Sequence, residues 1–113
     1  MTDYACLVVP MPPSMNELYG TNFATRQRFN SKRYEAWIWE AGLAMNQQHP
    51  PAIKGNYTMT LSFGPRKGDV GNREKAVSDL LVKHGIVEDD SLADRIILQW
   101  DANVVGCQIE IEA

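Results

Sequence analysis

The stretch from Gly64 to Ser91, GPRKGDVGNREKAVSDLLVKHGIVEDDS, restricts the fold of this chain more than any other. It opens as a basic loop, carries an acidic residue at a helix start, runs on as one amphipathic helix and ends in a second acidic cluster. Val77, Leu80, Leu81 and His84 share one side of a helix predicted from about Val70 to His84. Gly85 stands where a helix-terminating glycine belongs, and Lys83 and His84 suit the negative end of the helix dipole. Ile86 and Val87 continue as an extended apolar segment before the acidic turn Glu88-Asp89-Asp90-Ser91. A helix with a single apolar stripe must be laid against a partner.

The flanking segments supply that partner. Tyr57, Met59, Leu61 and Phe63 alternate with Thr58, Thr60 and Ser62, the pattern of a half-buried strand. Arg95–Asp101 alternates again through Ile96, Leu98 and Trp100. After the turn Asp101-Ala102-Asn103, Val105, Cys107, Ile109 and Ile111 alternate with Gly106, Gln108, Glu110 and Glu112. These two runs predict a terminal hairpin with one wet face. Tyr4–Val9 reads as a strand stopped by Pro10. The prolines of PMPPSMNELYG set a rigid path, either a stiff surface connector or a loop held to present polar groups near a site. Thr21–Asn30 is polar and reads as a mobile loop.

Ser31 is the expected N-cap of a helix to Gln47, ended by His49-Pro50-Pro51. Tyr34, Trp37, Ile38, Ala41 and Met45 form its core stripe. Ala36, Trp39 and Leu43 form a second, which predicts either burial between sheet and loops or a homodimer contact through Trp39. The element order β-α-β-α-β-β predicts one α+β domain over residues 1–113. Its expected form is two-layered, a largely antiparallel four-stranded sheet with helices on one face.

Composition narrows the functional class. A chain of 113 residues is one domain by length. It contains no apolar run near the roughly 18 residues a membrane span needs, so no membrane partner is expected. The start MTDYACLVVPMPPS lacks a basic segment and a cleavage site, which predicts a cytoplasmic protein. Cys6 and Cys107 have no metal-ligand spacing and are expected to be reduced, buried and inert. His49 and His84 are isolated. The net charge of −3 disfavours nucleic acid, but its distribution does not. Residues 1–75 carry +3 and the remainder −6, which leaves room for a local basic surface.

The acidic groups invite a metal hypothesis, because Mg²⁺ takes carboxylate, water and phosphate oxygens. Asp69 precedes the helix, and Asp89 and Asp90 follow it. A helix of about 13 residues is about 20 Å long, a span that six residues cover only when fully extended. Asp90 can therefore return to Asp69 within one chain along an extended Ile86-Val87 path, or else meet it between subunits. The same carboxylates also suit a purely structural role, as charges on the helix dipole and caps of the next turn. Lys75 has two readings as well, a solvated helix lysine or a cation beside a phosphate-binding site.

The segments PMPPSMN at Pro10–Asn16, RKGDVGNREK at Arg66–Lys75 and HGIVEDD at His84–Asp90, with their spacing, resemble the RusA family of Holliday-junction resolvases, the crossover junction endodeoxyribonucleases. The resemblance covers nearly the whole chain. It implies a homodimeric, Mg²⁺-dependent nuclease that cuts four-way DNA junctions symmetrically in recombination and repair, as phage-type enzymes do. By the same resemblance Asp69 and Asp90 are catalytic and metal-binding carboxylates, with Asp89 a further candidate ligand. Lys75 is the catalytic lysine, and Asn72 matches the motif asparagine. Arg26, Arg28, Lys32, Arg33, Arg66, Lys67, Arg73, Asn72 and Asn16 are candidate DNA contacts.

One position departs from the pattern. The family's D-x-D-N reads Asp69-Val70-Gly71-Asn72 here, so Gly71 stands where the second aspartate belongs. Glycine supplies no ligand and costs about 0.5–1 kcal/mol in a helix relative to alanine. The expectation is junction binding without efficient cleavage, either in an inactivated variant or in a natural binding-only homologue. A small dimeric protein–protein adaptor is the reading that ignores the resemblance.

Overall fold

The computed structural model of the chain describes residues 3–113. Its centre is a four-stranded mixed sheet in the order β1-β6-β4-β5, formed by β1 (Tyr4–Val9), β4 (Tyr57–Gly64), β5 (Ala93–Trp100) and β6 (Gly106–Glu112). A separate two-stranded ribbon pairs β2 (Tyr19–Asn22) with β3 (Gln27–Asn30). Two helices complete the fold, α1 (Lys32–Gln47) and α2 (Glu74–Lys83), with short 3-10 turns at Met15–Glu17, Val70–Arg73 and Asp90–Leu92.

Alternation set the inward faces as expected. Ala5, Leu7 and Val9, then Tyr57, Met59, Leu61 and Phe63, then Cys107, Ile109 and Ile111 are buried together with the core stripes of both helices. The opposite sheet face is polar and hydrogen-bonded across strands, for example Gln99 Nε2 to Ser62 Oγ at 2.8 Å. The fold is therefore α+β with helices on one sheet face.

The neighbour relations differ from the expectation. β5 and β6 do not form a hairpin, because β4 lies between them. β4 pairs parallel to β5, with Leu61 opposite Leu98, and antiparallel to β6, with Leu61 opposite Ile109. Alternation reports which face a residue occupies, whereas strand order depends on partners distant in sequence. The stretch Thr21–Asn30 is not a loop but most of a hairpin, with Thr21 opposite Arg28. Val105, expected in the last strand, precedes it and is exposed. Cys107 is buried, and that burial pushes its thiol up to about 12. Cys6, expected to be buried, lies on the exposed face of edge strand β1.

Helix α1 begins as its sequence predicts: Tyr34 N donates to Ser31 Oγ at 3.1 Å. Tyr34, Trp37, Ala41 and Met45 are buried and Ile38 packs against the core, whereas Trp39 is 70% exposed and Leu43 is exposed beside it. The second stripe is thus uncovered within one chain. The free edge of β1 is met by one side chain just beyond α1: Gln48 Nε2 donates to Val8 O at 2.7 Å and Gln48 Oε1 accepts from Val8 N at 2.8 Å.

Candidate nuclease site at the start of helix α2

Helix α2 is shorter than its apolar pattern suggested. Residues Val70–Arg73 form a 3-10 turn, and the α-helix begins at Glu74. Ten residues make about 15 Å, so the return path is easier than a longer helix would allow. Gly85, at φ 70°, reverses the chain, and Ile86 N donates to Leu81 O at 2.9 Å. The extended segment that follows is buried through Ile86 and Val87. It is fastened by Ile53 N donating to Ile86 O at 2.7 Å and by a parallel bridge between Ile53 and Val87. The acidic turn is thereby carried back along the helix.

The 3-10 turn that Asp90 begins packs against α2. The Lys75–Asp79 hydrogen bond raises the pKa of Lys75, and the charge of Asp90 adds a smaller effect. Lys75 Nζ lies 3.2 Å from Asp79 Oδ2, so the lysine is held as a cation on the helix face. Tyr57 is 2% exposed, with a hydroxyl that has no hydrogen-bond partner. Burial raises its pKa first, and Asp90, Glu74 and Asp89 raise it further. Glu74 is fixed by Ser78 Oγ, which donates to Glu74 Oε1 at 2.5 Å. Asp89 accepts from Ser91 Oγ, and that bond holds its carboxyl below the usual aspartate range.

Asp69 is exposed, one 3-10 turn before Glu74, with its carbonyl accepting from Asn72 N at 3.1 Å. Asn72 is half-buried in that turn. Gly71 is exposed, and a β-carbon built there meets nothing within 4 Å. Its φ also lies outside the left-handed region, so neither space nor backbone demands glycine. Exposed carboxylate oxygens on Asp69, Asp89 and Asp90 have the chemistry of a hard-cation site. Among the described residues, however, no three ligating side chains gather at metal-holding distance.

The proline segment is a wall of this region. Trp37 Nε1 donates to Pro10 O at 2.9 Å, and Pro12 and Pro13 are buried. Arg73, expected to touch DNA, is instead 5% exposed and points inward. Its Nη1 donates to Pro12 O at 2.7 Å and its Nη2 to Lys67 O at 3.2 Å, joining the proline segment to the basic loop. Asn16, Arg66 and Lys67 are exposed around it. Arg26, Arg28 and Lys32 are exposed on and beside the hairpin, and Arg33 pairs with Glu17 at 2.6 Å. Sequence reasoning passed over Glu74, Asp79 and Tyr57. The alternation predicts Tyr57 only as a core-facing residue of its strand.

Exposed carboxylates before and after α2 and a lysine on it are groups that suit an enzyme acting on phosphodiesters. The family model for endodeoxyribonuclease RusA matches residues 10–112, and the chain belongs to that family. Membership makes it a Holliday-junction-resolvase type of endodeoxyribonuclease. No individual curated protein matches the chain. Among the described residues no helix is long and apolar enough to cross a membrane.

Proposed function

We propose that this chain binds four-way DNA junctions as a homodimer in the cytoplasm. Asp69 and Asp90, with Asp89, would hold Mg²⁺ there, and Gly71 impairs cleavage. What supports the site is the packing of the 3-10 turn Asp90–Leu92 against helix α2, which brings the acidic turn back to the helix that carries Lys75. Bound Mg²⁺ supplies Lewis-acid activation of water and of the scissile phosphate. Lys75, kept protonated by Asp79, steadies the negative charge that builds on the phosphate during attack. Arg26, Arg28, Lys32, Arg33, Arg66, Lys67, Asn16 and Asn72 supply contacts to the sugar-phosphate backbone, which position a junction without reading its bases. A twofold dimer would set one such site on each of two symmetry-related strands.

Gly71 faces open space, so an aspartate fits without displacing a neighbour. In a Mg²⁺-dependent junction-cleavage assay, the chain as it stands cuts poorly and Gly71→Asp cuts at least 100-fold faster, about 3 kcal/mol of barrier. Equal, negligible rates at equal junction affinity would remove the site assignment and leave a junction-binding protein that shields without cutting.

A further inference from the structure

The β2–β3 hairpin is paired with neither edge of the main sheet, and every residue from Thr21 to Asn30 is exposed. Its turn is nonetheless well built. Asn22 Oδ1 accepts from Ala24 N at 3.0 Å and Thr25 N at 3.3 Å, and Arg26 N donates to Asn22 O at 2.6 Å. Arg26 closes the turn with φ 58°. The hairpin is anchored to α1, where Ser31 N donates to Leu18 O at 2.8 Å and Ser31 Oγ to Glu17 O at 2.5 Å.

Its two phenylalanines differ in what the fold asks of them. Phe29 lies across the ribbon over Gly20, so closely that a β-carbon on Gly20 would come 2.5 Å from the ring. Phe29 therefore has a structural task, covering the backbone of its cross-strand partner. Phe23 has none. It is the first residue of the turn and is 90% exposed. Its own hairpin is cationic: Arg26, Arg28 and Lys32 are exposed on and beside it, while Arg33 at its base is paired with Glu17. Arg28 stacks its guanidinium 4.0 Å from the Tyr19 ring centroid, which holds one of those charges in place.

An exposed aromatic ring set among cations offers a flat apolar face on which a partner's ring can stack. The cations select an anionic partner, and the ring selects one that also offers flat apolar faces. Unstacked bases flanked by phosphates combine the two. A four-way junction has such bases at its branch point, whereas linear duplex offers stacked ones.

We infer that the hairpin is a wedge: Phe23 stacks on a base at the branch point while Arg26 and Arg28 clamp the adjacent phosphates. This rests on the junction-binding reading above. The test uses a four-way junction carrying one 2-aminopurine at the branch point, and a linear duplex of the same sequence, without divalent ions. Binding of the full chain raises 2-aminopurine fluorescence severalfold on the junction. Phe23→Ala abolishes that rise and weakens junction affinity about tenfold, in line with the loss of one stacked base, with duplex affinity unchanged. Phe23→Trp retains the rise. Because Phe23 is solvent-exposed, the variants fold, and circular dichroism verifies it. An undiminished rise and affinity in Phe23→Ala overturns the wedge alone. A shift of Phe23→Ala toward monomer in sedimentation, with junction opening intact, overturns it in favour of contact with a second copy. An unmodified chain that binds junction no better than duplex overturns the junction reading together with the wedge.

Discussion

At Tyr57, a hydroxyl is buried without a partner, and burial first, then the charges of Asp90, Glu74 and Asp89, raise its pKa. An orphaned buried hydroxyl costs about 1 kcal/mol or more, so Tyr57→Phe should raise unfolding stability by about 1 kcal/mol in urea titration. A loss of stability would show the hydroxyl to be bonded. Arg73 makes the opposite case. Its two hydrogen bonds join segments 61 and 6 residues away, and truncation strands both acceptors. Arg73→Met should cost about 2–3 kcal/mol and leave the salt dependence of DNA binding unchanged, since a buried guanidinium neutralises no phosphate. A shallower salt slope would return it to the contact set. Neither role could be read along the chain. Tyr57 fits the apolar alternation of β4 and Arg73 fits a basic run, and only packing leaves the one hydroxyl without a partner and turns the guanidinium inward.

At the level of elements, α1 is the most legible part of the fold. Ser31, the core stripe and the His49-Pro50-Pro51 stop all act locally, within a few residues of one another. Ser31 also ties the helix to the 3-10 turn before the hairpin, so Ser31→Ala should cost about 1–2 kcal/mol, somewhat above a lone cap, by denaturant titration. That same turn is sensitive to pH. Glu17 accepts from Ser14 Oγ and N, and these bonds, with Arg33 nearby, hold its carboxyl below the ordinary 4.5. Its folded-state pKa is depressed, so its contribution is complete above the unfolded value and fades as pH falls through the lower folded one. Glu17→Gln should therefore flatten stability on acidification below about 4.5, and an unchanged profile would assign the loss to other carboxylates. The hairpin escaped the sequence reading because its four-residue strands are short and mostly polar, with no apolar alternation. Its turn is made by Asn22 rather than by a glycine pair, and its contacts, Phe29 over Gly20 and Tyr19 against Tyr34 of α1, join residues far apart in the pattern.

On the scale of the molecule, charge is divided rather than balanced. Cations gather in residues 1–75, and a net −6 lies beyond. If exposed cations contact phosphates, junction affinity falls steeply with salt, by a factor of ten or more between about 50 and 200 mM. A flat response would favour the adaptor reading, with exposed Trp39 as its contact. The sequence by itself determined the inward face of β4, the core stripe of α1 and where both helices end, because alternation and capping are short-range properties. Tertiary structure alone decided that β4 separates β5 from β6, that Arg73 turns inward and that the acidic turn packs back on α2. Those outcomes depend on which distant segments exclude water from one another, and no local pattern encodes that choice.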